Sequence, residues 1–222
     1  MSRSMSSQRW TGSTALVIAS LFAISSVRAT VVVNNLGETI SGGASVFGTD
    51  PVLANATSFT TGPGSWQINA VTAKLEEALG TSSDGLVLRI MNDNGGNPGA
   101  TVVGTFDMTT NNITALANYT YSPAAPIALA GNTTYWLAAF PTAADSEYYW
   151  QVTTSSVDNG VSGWSIGNLN RSSSDEGASW TPNGDEPALF SIDATSIIPE
   201  PCSLLLGVLA LGQFGLARRR TT

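Results

Sequence analysis

Hydrophobic and polar positions follow one habit between Thr30 and Ile198 and another at each end of the chain. In the middle, no long stretch keeps a period of 3.6. Short runs of β-branched and aromatic residues recur about every ten positions, separated by Gly, Pro, Asn and Asp. That spacing predicts an all-β fold, an antiparallel β-sandwich of jelly-roll-like type. Gly85–Asn92 alternates Leu86, Leu88 and Ile90 with Val87, Arg89 and Met91, so it reads as a strand with two distinct faces. Ala100–Asp107 pairs with it across Asp93–Gly99, a loop full of turn formers. Thr133–Phe140 is the most hydrophobic run and is predicted to be central. Glu147–Thr153 and Pro187–Ala194 add two more strands, and Ser58–Thr60, Ile113–Tyr121 and Val161–Ile166 give weaker signals. Ala70–Gly80 holds helix formers and a terminal Gly suited to a helix cap. Trp66–Lys74 also alternates Trp66, Ile68, Ala70 and Thr72, and in an all-β chain we read it as a strand. No internal repeat or linker divides this region, which predicts one domain over residues 30–198.

The ends break the pattern. Residues 1–29 read as a secretory signal peptide: Arg3 and Arg9, then the apolar Ala15–Ile24, then small residues before a cleavage point between Ala29 and Thr30. The apolar core would span only about 15 Å as a helix, too short for a lasting anchor. Residues 199–222 have a different order. Pro199-Glu200-Pro201 precedes the apolar run Leu204–Ala217, which is followed by Arg218-Arg219-Arg220. The prolines bar a helix on their own side. The apolar run can enter a bilayer as a short helix, and the arginines hold its end on the cytoplasmic side.

Charge is sparse and its placement is uneven. Of the 222 residues, 11% are charged and the net is −7. Between Thr30 and Ile198 only Lys74, Arg89 and Arg171 are basic against 15 carboxylates, a net of −12. A body this acidic repels nucleic acid and anionic lipid. The chain has no His, and its one Cys, Cys202, lies in the tail. Those absences exclude His-based nucleophile systems, Cys/His zinc sites and an internal disulfide.

Few residues remain as sites. Tyr148, Tyr149, Trp150, Trp164 and Trp180 cluster late in the body, and strand alternation sends Tyr148 and Trp150 to one face and Tyr149 to the other. They either fill the core or stack on sugar rings, and Tyr149 and Trp180 are the candidates for a glycan platform. The loop that starts at Asp93 and Asn94 offers oxygens to Ca²⁺, although its spacing departs from an EF-hand loop. Asp175, Glu176, Asp185 and Glu186 flank Trp180 as a second oxygen-rich region. Adjacent carboxylates such as Glu76-Glu77 read as solvated loop charge, and neighbours in a strand point to opposite faces, so adjacency does not make a hydrolytic pair. No enzymatic activity, cofactor or metal is expected beyond that candidate calcium.

The tail from Pro199 to Arg220 resembles the PEP-CTERM sorting signal of exosortase-processed bacterial proteins, with its three features in order. The resemblance implies use of the secretion machinery, transient retention in the inner membrane, and cutting near Pro199–Pro201 by an exosortase-type enzyme. Release to the cell surface or extracellular matrix follows. In the body, Ser41–Gly43, Phe59–Gly62, Ile68–Leu75, Leu86–Gly99, Leu129–Ala139, Tyr148–Trp150 and Gly177–Ile192 together resemble the choice-of-anchor class of bacterial surface domains, type R. That implies an exported β-sandwich and assigns no catalytic residue. The expected function is a structural or adhesive role in biofilm or exopolysaccharide. The alternative is a carbohydrate-binding module that uses exposed aromatics.

Overall fold

A computed structural model describes residues 29–48, 52–78, 85–106 and 113–197. The proposed signal peptide and the sorting residues Pro199, Glu200, Pro201 and Arg218–Arg220 lie outside the described residues. The strands in chain order are β1 (Thr30–Asn34), β2 (Gly42–Phe47), β3 (Ala54–Thr60), β4 (Ser65–Glu77), β5 (Leu86–Asp93), β6 (Pro98–Phe106) and β7 (Ala117–Tyr121). They continue with β8 (Ile127–Leu129), β9 (Thr134–Pro141), β10 (Glu147–Val152), β11 (Ser165–Ser173), β12 (Thr181–Pro182) and β13 (Phe190–Ile197).

Two antiparallel sheets pack face to face as a sandwich. One runs β1-β13-β4-β10-β2, with β7 and β8 also paired to β4; the other runs β12-β11-β3-β9-β5-β6. The expected β5–β6 hairpin forms, with Leu88 opposite Phe106 and Asp93 opposite Pro98. β9 lies between β3 and β5, the central place its composition predicts. The core fills the space between the sheets. Leu86, Leu88 and Ile90 meet Tyr135, Leu137 and Phe59 from one side, and Ile68, Val71, Leu75, Trp150 and Phe190 from the other.

The ambiguous segment is the longest strand. β4 runs for 13 residues, but its alternation does not hold from end to end. Asp193 pairs with Ala70 and Ala194 with Ile68, which leaves Asn69 as an extra residue in the ladder. One extra residue reverses which side chains face inward. Trp66 and Ile68 therefore pack on the core, whereas Ala70 and Thr72 turn outward, contrary to the single face read from the sequence. Val71, Ala73 and Leu75 take the inner positions. The bulged Asn69 donates to Thr195 Oγ1 at 2.8 Å.

The weak strands shift as well. β3 extends back to Ala54, β7 begins only at Ala117, and β11 begins at Ser165. The last strand covers Phe190–Ile197, three residues later than the pattern places it. It pairs with β1, so the first and last strands lie side by side. The outer edge of β1 is not bare: Asn159 N and Val161 N donate to Asn34 O and Val32 O, and Asn34 N donates to Asp158 Oδ1.

Candidate functional site

The two outer faces of the sandwich differ in chemistry. On the seven-stranded sheet the outer face is polar, as in the pair Thr72–Thr120, whose hydroxyls are 2.8 Å apart. On the six-stranded sheet it is apolar. β9 carries Trp136, Ala138 and Phe140 on that side, and Ala54, Ala56 and Met91 pack around them, all buried. β9 is thus covered on both faces, which explains its unbroken apolar run.

The cover comes from the connection between β11 and β12. Residues 174–180 fold back over the sheet and bring Trp180 edge-on to Phe140, with ring centroids 6.0 Å apart. Gly177, at φ +91, crosses so close to Phe140 that an added Cβ would lie 3.0 Å from the ring. Asp175 ties the loop: its carboxylate accepts from Ser173 Oγ, Ser179 N and Ser179 Oγ. The Ser179 hydroxyl, then its amide, then the Ser173 hydroxyl hold the Asp175 carboxyl down to about 2. A lowered pKa stabilises the loop above the ordinary carboxylate range, and that contribution is lost as pH falls through the folded value. The expected result is a Ser179 amide resonance that stays fixed down to about pH 4 and moves with a midpoint near pH 2. In Asp175→Asn that midpoint disappears; a Ser179 titration at the ordinary carboxylate pKa would contradict the tie.

Both arginines of the body lie on this face. Arg89 lies over the Phe140 ring, 4.4 Å from its centroid. Arg171 lies over Trp136 at 5.7 Å. Each such contact is worth about 0.5–2 kcal/mol, more when water is excluded. The third basic residue, Lys74, is on the other sheet and donates to Leu36 O at 3.0 Å. Arg171 Nε also donates to Asn97 Oδ1 at 2.8 Å and to Gly96 O at 3.3 Å. Asp93 Oδ1 accepts from Trp136 Nε1 at 2.8 Å and from Gly96 N at 3.2 Å. The turn oxygens considered for calcium are thus turned to a guanidinium, an indole and an amide of the same chain. Asn94 is exposed at the tip of the turn. Among the described residues, no group of three or more carboxylate or Cys side chains is placed to hold a metal ion.

The face ends in a cavity of about 310 Å³. Its walls are Arg89, Phe140 and Pro141 from the sheet, Thr142–Ala144 from the turn after β9, Glu176 from the covering loop, and Gly48 and Val52 from the β2–β3 connection. Gly48 permits this closure: its N–H donates to Ser146 O at 2.7 Å, and an added Cβ would lie 1.7 Å from Ala143 O.

The two aromatics named for a glycan platform do not share a surface. Trp180 is half-buried on the outer face of the six-stranded sheet. Tyr149 is half-buried on the outer face of the other sheet, edge-on to Phe47 at 6.0 Å. Tyr148, Trp150 and Trp164 are buried in the core. No described Trp, Tyr or Phe is fully exposed. What the fold offers instead is a cavity. Its ionic residues, Arg89 and Glu176, carry only a weak sequence signal, a single Arg within an apolar strand and a Glu before a Gly. Compared with known proteins, the chain matches no family model and no curated protein.

Proposed function

We propose that the chain is an exported bacterial surface or extracellular-matrix protein, freed from the inner membrane by cutting at its C-terminal Pro-Glu-Pro signal. Its β-sandwich then has a structural or adhesive role in biofilm or exopolysaccharide. One observation carries most of the support. Among the described residues, the strands run from Thr30, the residue after the signal-peptide cleavage point, to Ile197, two residues before Pro199. Cutting at both signals would leave every described strand intact. The acidic, His-free body adds the exclusion of nucleic acid and of His-based catalysis. The alternative, a carbohydrate-binding module, gains from the cavity and not from stacked aromatics.

The test is the intact mass of the protein recovered from the native cell surface or medium. The expected species begins at Thr30 and ends near Pro199–Pro201. Glu200→Ala should leave the protein in the membrane fraction. A recovered mass that retains Arg218–Arg220, or normal release of the variant, would overturn the processing scheme.

A further inference from the structure

The cavity beside Phe140 holds two opposite charges that are not paired with each other. Arg89 reaches it from β5 and makes no hydrogen bond or ion pair with any other described residue. A guanidinium held over a ring keeps its N–H donors available at its edge. Glu176 reaches the cavity from the covering loop. Its backbone is in the left-handed region, at φ 58, directly before Gly177. That conformation is costly for a Glu, and a Gly would adopt it freely. Strain at a cavity wall is a pointer to function. Between these two groups the walls are apolar at Val52, Pro141 and Ala143.

We propose that this cavity is a subsite for one neutral hexopyranose unit of a polysaccharide. Arg89 donates to sugar oxygens and Glu176 accepts from sugar hydroxyls. The C–H face of the ring lies on the apolar wall. The proposal rests on the exopolysaccharide reading above and gives that reading a ligand class. Donors on one wall, acceptors on the other and an apolar surface between them match a polyol. The neutral class follows from charge: Glu176 in the wall and a body of net −12 disfavour a polyanion. The volume is at the low end of ligand cavities, which run to about 300–1,000 Å³, and suits a single unit.

The experiment is affinity electrophoresis of the purified full chain in gels containing dextran, galactomannan, glucomannan or polygalacturonate. Titration calorimetry with hexasaccharides of the retarding polymer follows. At least one neutral polymer should retard the protein, with competition by the matching methyl hexoside. Arg89→Met and Glu176→Gln should each weaken binding at least about tenfold. Glu176 is exposed, so its variants test the site even if Arg89→Met fails to fold. Glu176→Gly should weaken binding equally while raising the thermal midpoint by about 2 °C, because it removes the backbone strain. Equal retardation of wild type and variants would overturn the subsite and leave the matrix-binding reading standing. Preference for polygalacturonate would overturn the neutral class. No retardation in any gel would remove the polysaccharide reading and the subsite together.

Discussion

Replacing Trp150 with Ala should lower the unfolding free energy by about 4 kcal/mol. In a chain of this size that corresponds to a fall of about 12 °C in thermal midpoint. The indole is buried between the sheets, edge-on to Phe190 with centroids 6.5 Å apart. Its Nε1 donates to Leu189 O at 3.0 Å, a bond that closes the gap where β13 begins. Truncation leaves a void in a core that touches both sheets, and neither sheet can collapse into it without breaking ladder bonds. The Leu189 carbonyl keeps the Lys74 amide as a partner, so the packing loss dominates the polar loss. Trp150→Phe should recover about half of the deficit by refilling part of the volume without the donor. Urea titration of the purified variants measures both. A loss under about 1 kcal/mol in Trp150→Ala would mean that this indole is not in the core.

Asn35→Ala should cost about 3 kcal/mol, an unusually large effect for a polar residue just beyond a strand end. β1 stops at Asn34, yet pairing with the last strand continues through the Asn35 side chain. Its Nδ2 donates to Ala188 O at 2.9 Å and its Oδ1 accepts from Phe190 N at 2.8 Å. The residue is fully buried. Removing the amide leaves a buried carbonyl and a buried N–H without partners, each costing more than the bond itself contributed. Asn35→Asp should be worse, because a carboxylate would face the Ala188 carbonyl. Hydrogen exchange separates this from general loosening: the Phe190 amide should lose protection more than the amides of β9. Unchanged protection at Phe190 would reject the assignment.

Much of the architecture was legible because it follows from alternation and turn chemistry. The β5–β6 hairpin, the central β9 and the split of Tyr148 and Trp150 from Tyr149 all follow from period-two patterning. Other elements were hidden for particular physical reasons. β2 reads as loop because it begins Gly42-Gly43-Ala44-Ser45, and Gly43 is small because it lies beneath Tyr149 of the neighbouring strand. β8 has only three residues. The face reversal in β4 depends on a bulge at Asn69, which composition does not mark. The candidate cavity was the least legible part. Its charged groups come from β5 and the β11–β12 connection, its floor from the turn after β9 and from Gly48 and Val52. Only tertiary packing brings these together. Core filling by Tyr148 and Trp150 was a legible option, but the partial burial of Trp180 was not, because the β11–β12 connection folds over an outer face that a two-layer reading leaves open to water.

The long strand β4 also gives the domain a base and a tip. Ile197 pairs with Ser65, and Thr30 pairs with Ala194 beside Ile68, so both ends of the body emerge at the start of β4. Tyr148 pairs with Glu77, and Phe47 faces Glu147, so Gly48 and the turn after β9 lie at the far end. The two ends of β4 are about 40 Å apart at the usual rise per strand residue. Any segment that continues past Thr30 or Ile197 therefore leaves from the base. The cavity with Arg89 and Glu176 is carried toward the tip, at the opposite end of β4 from both ends of the body.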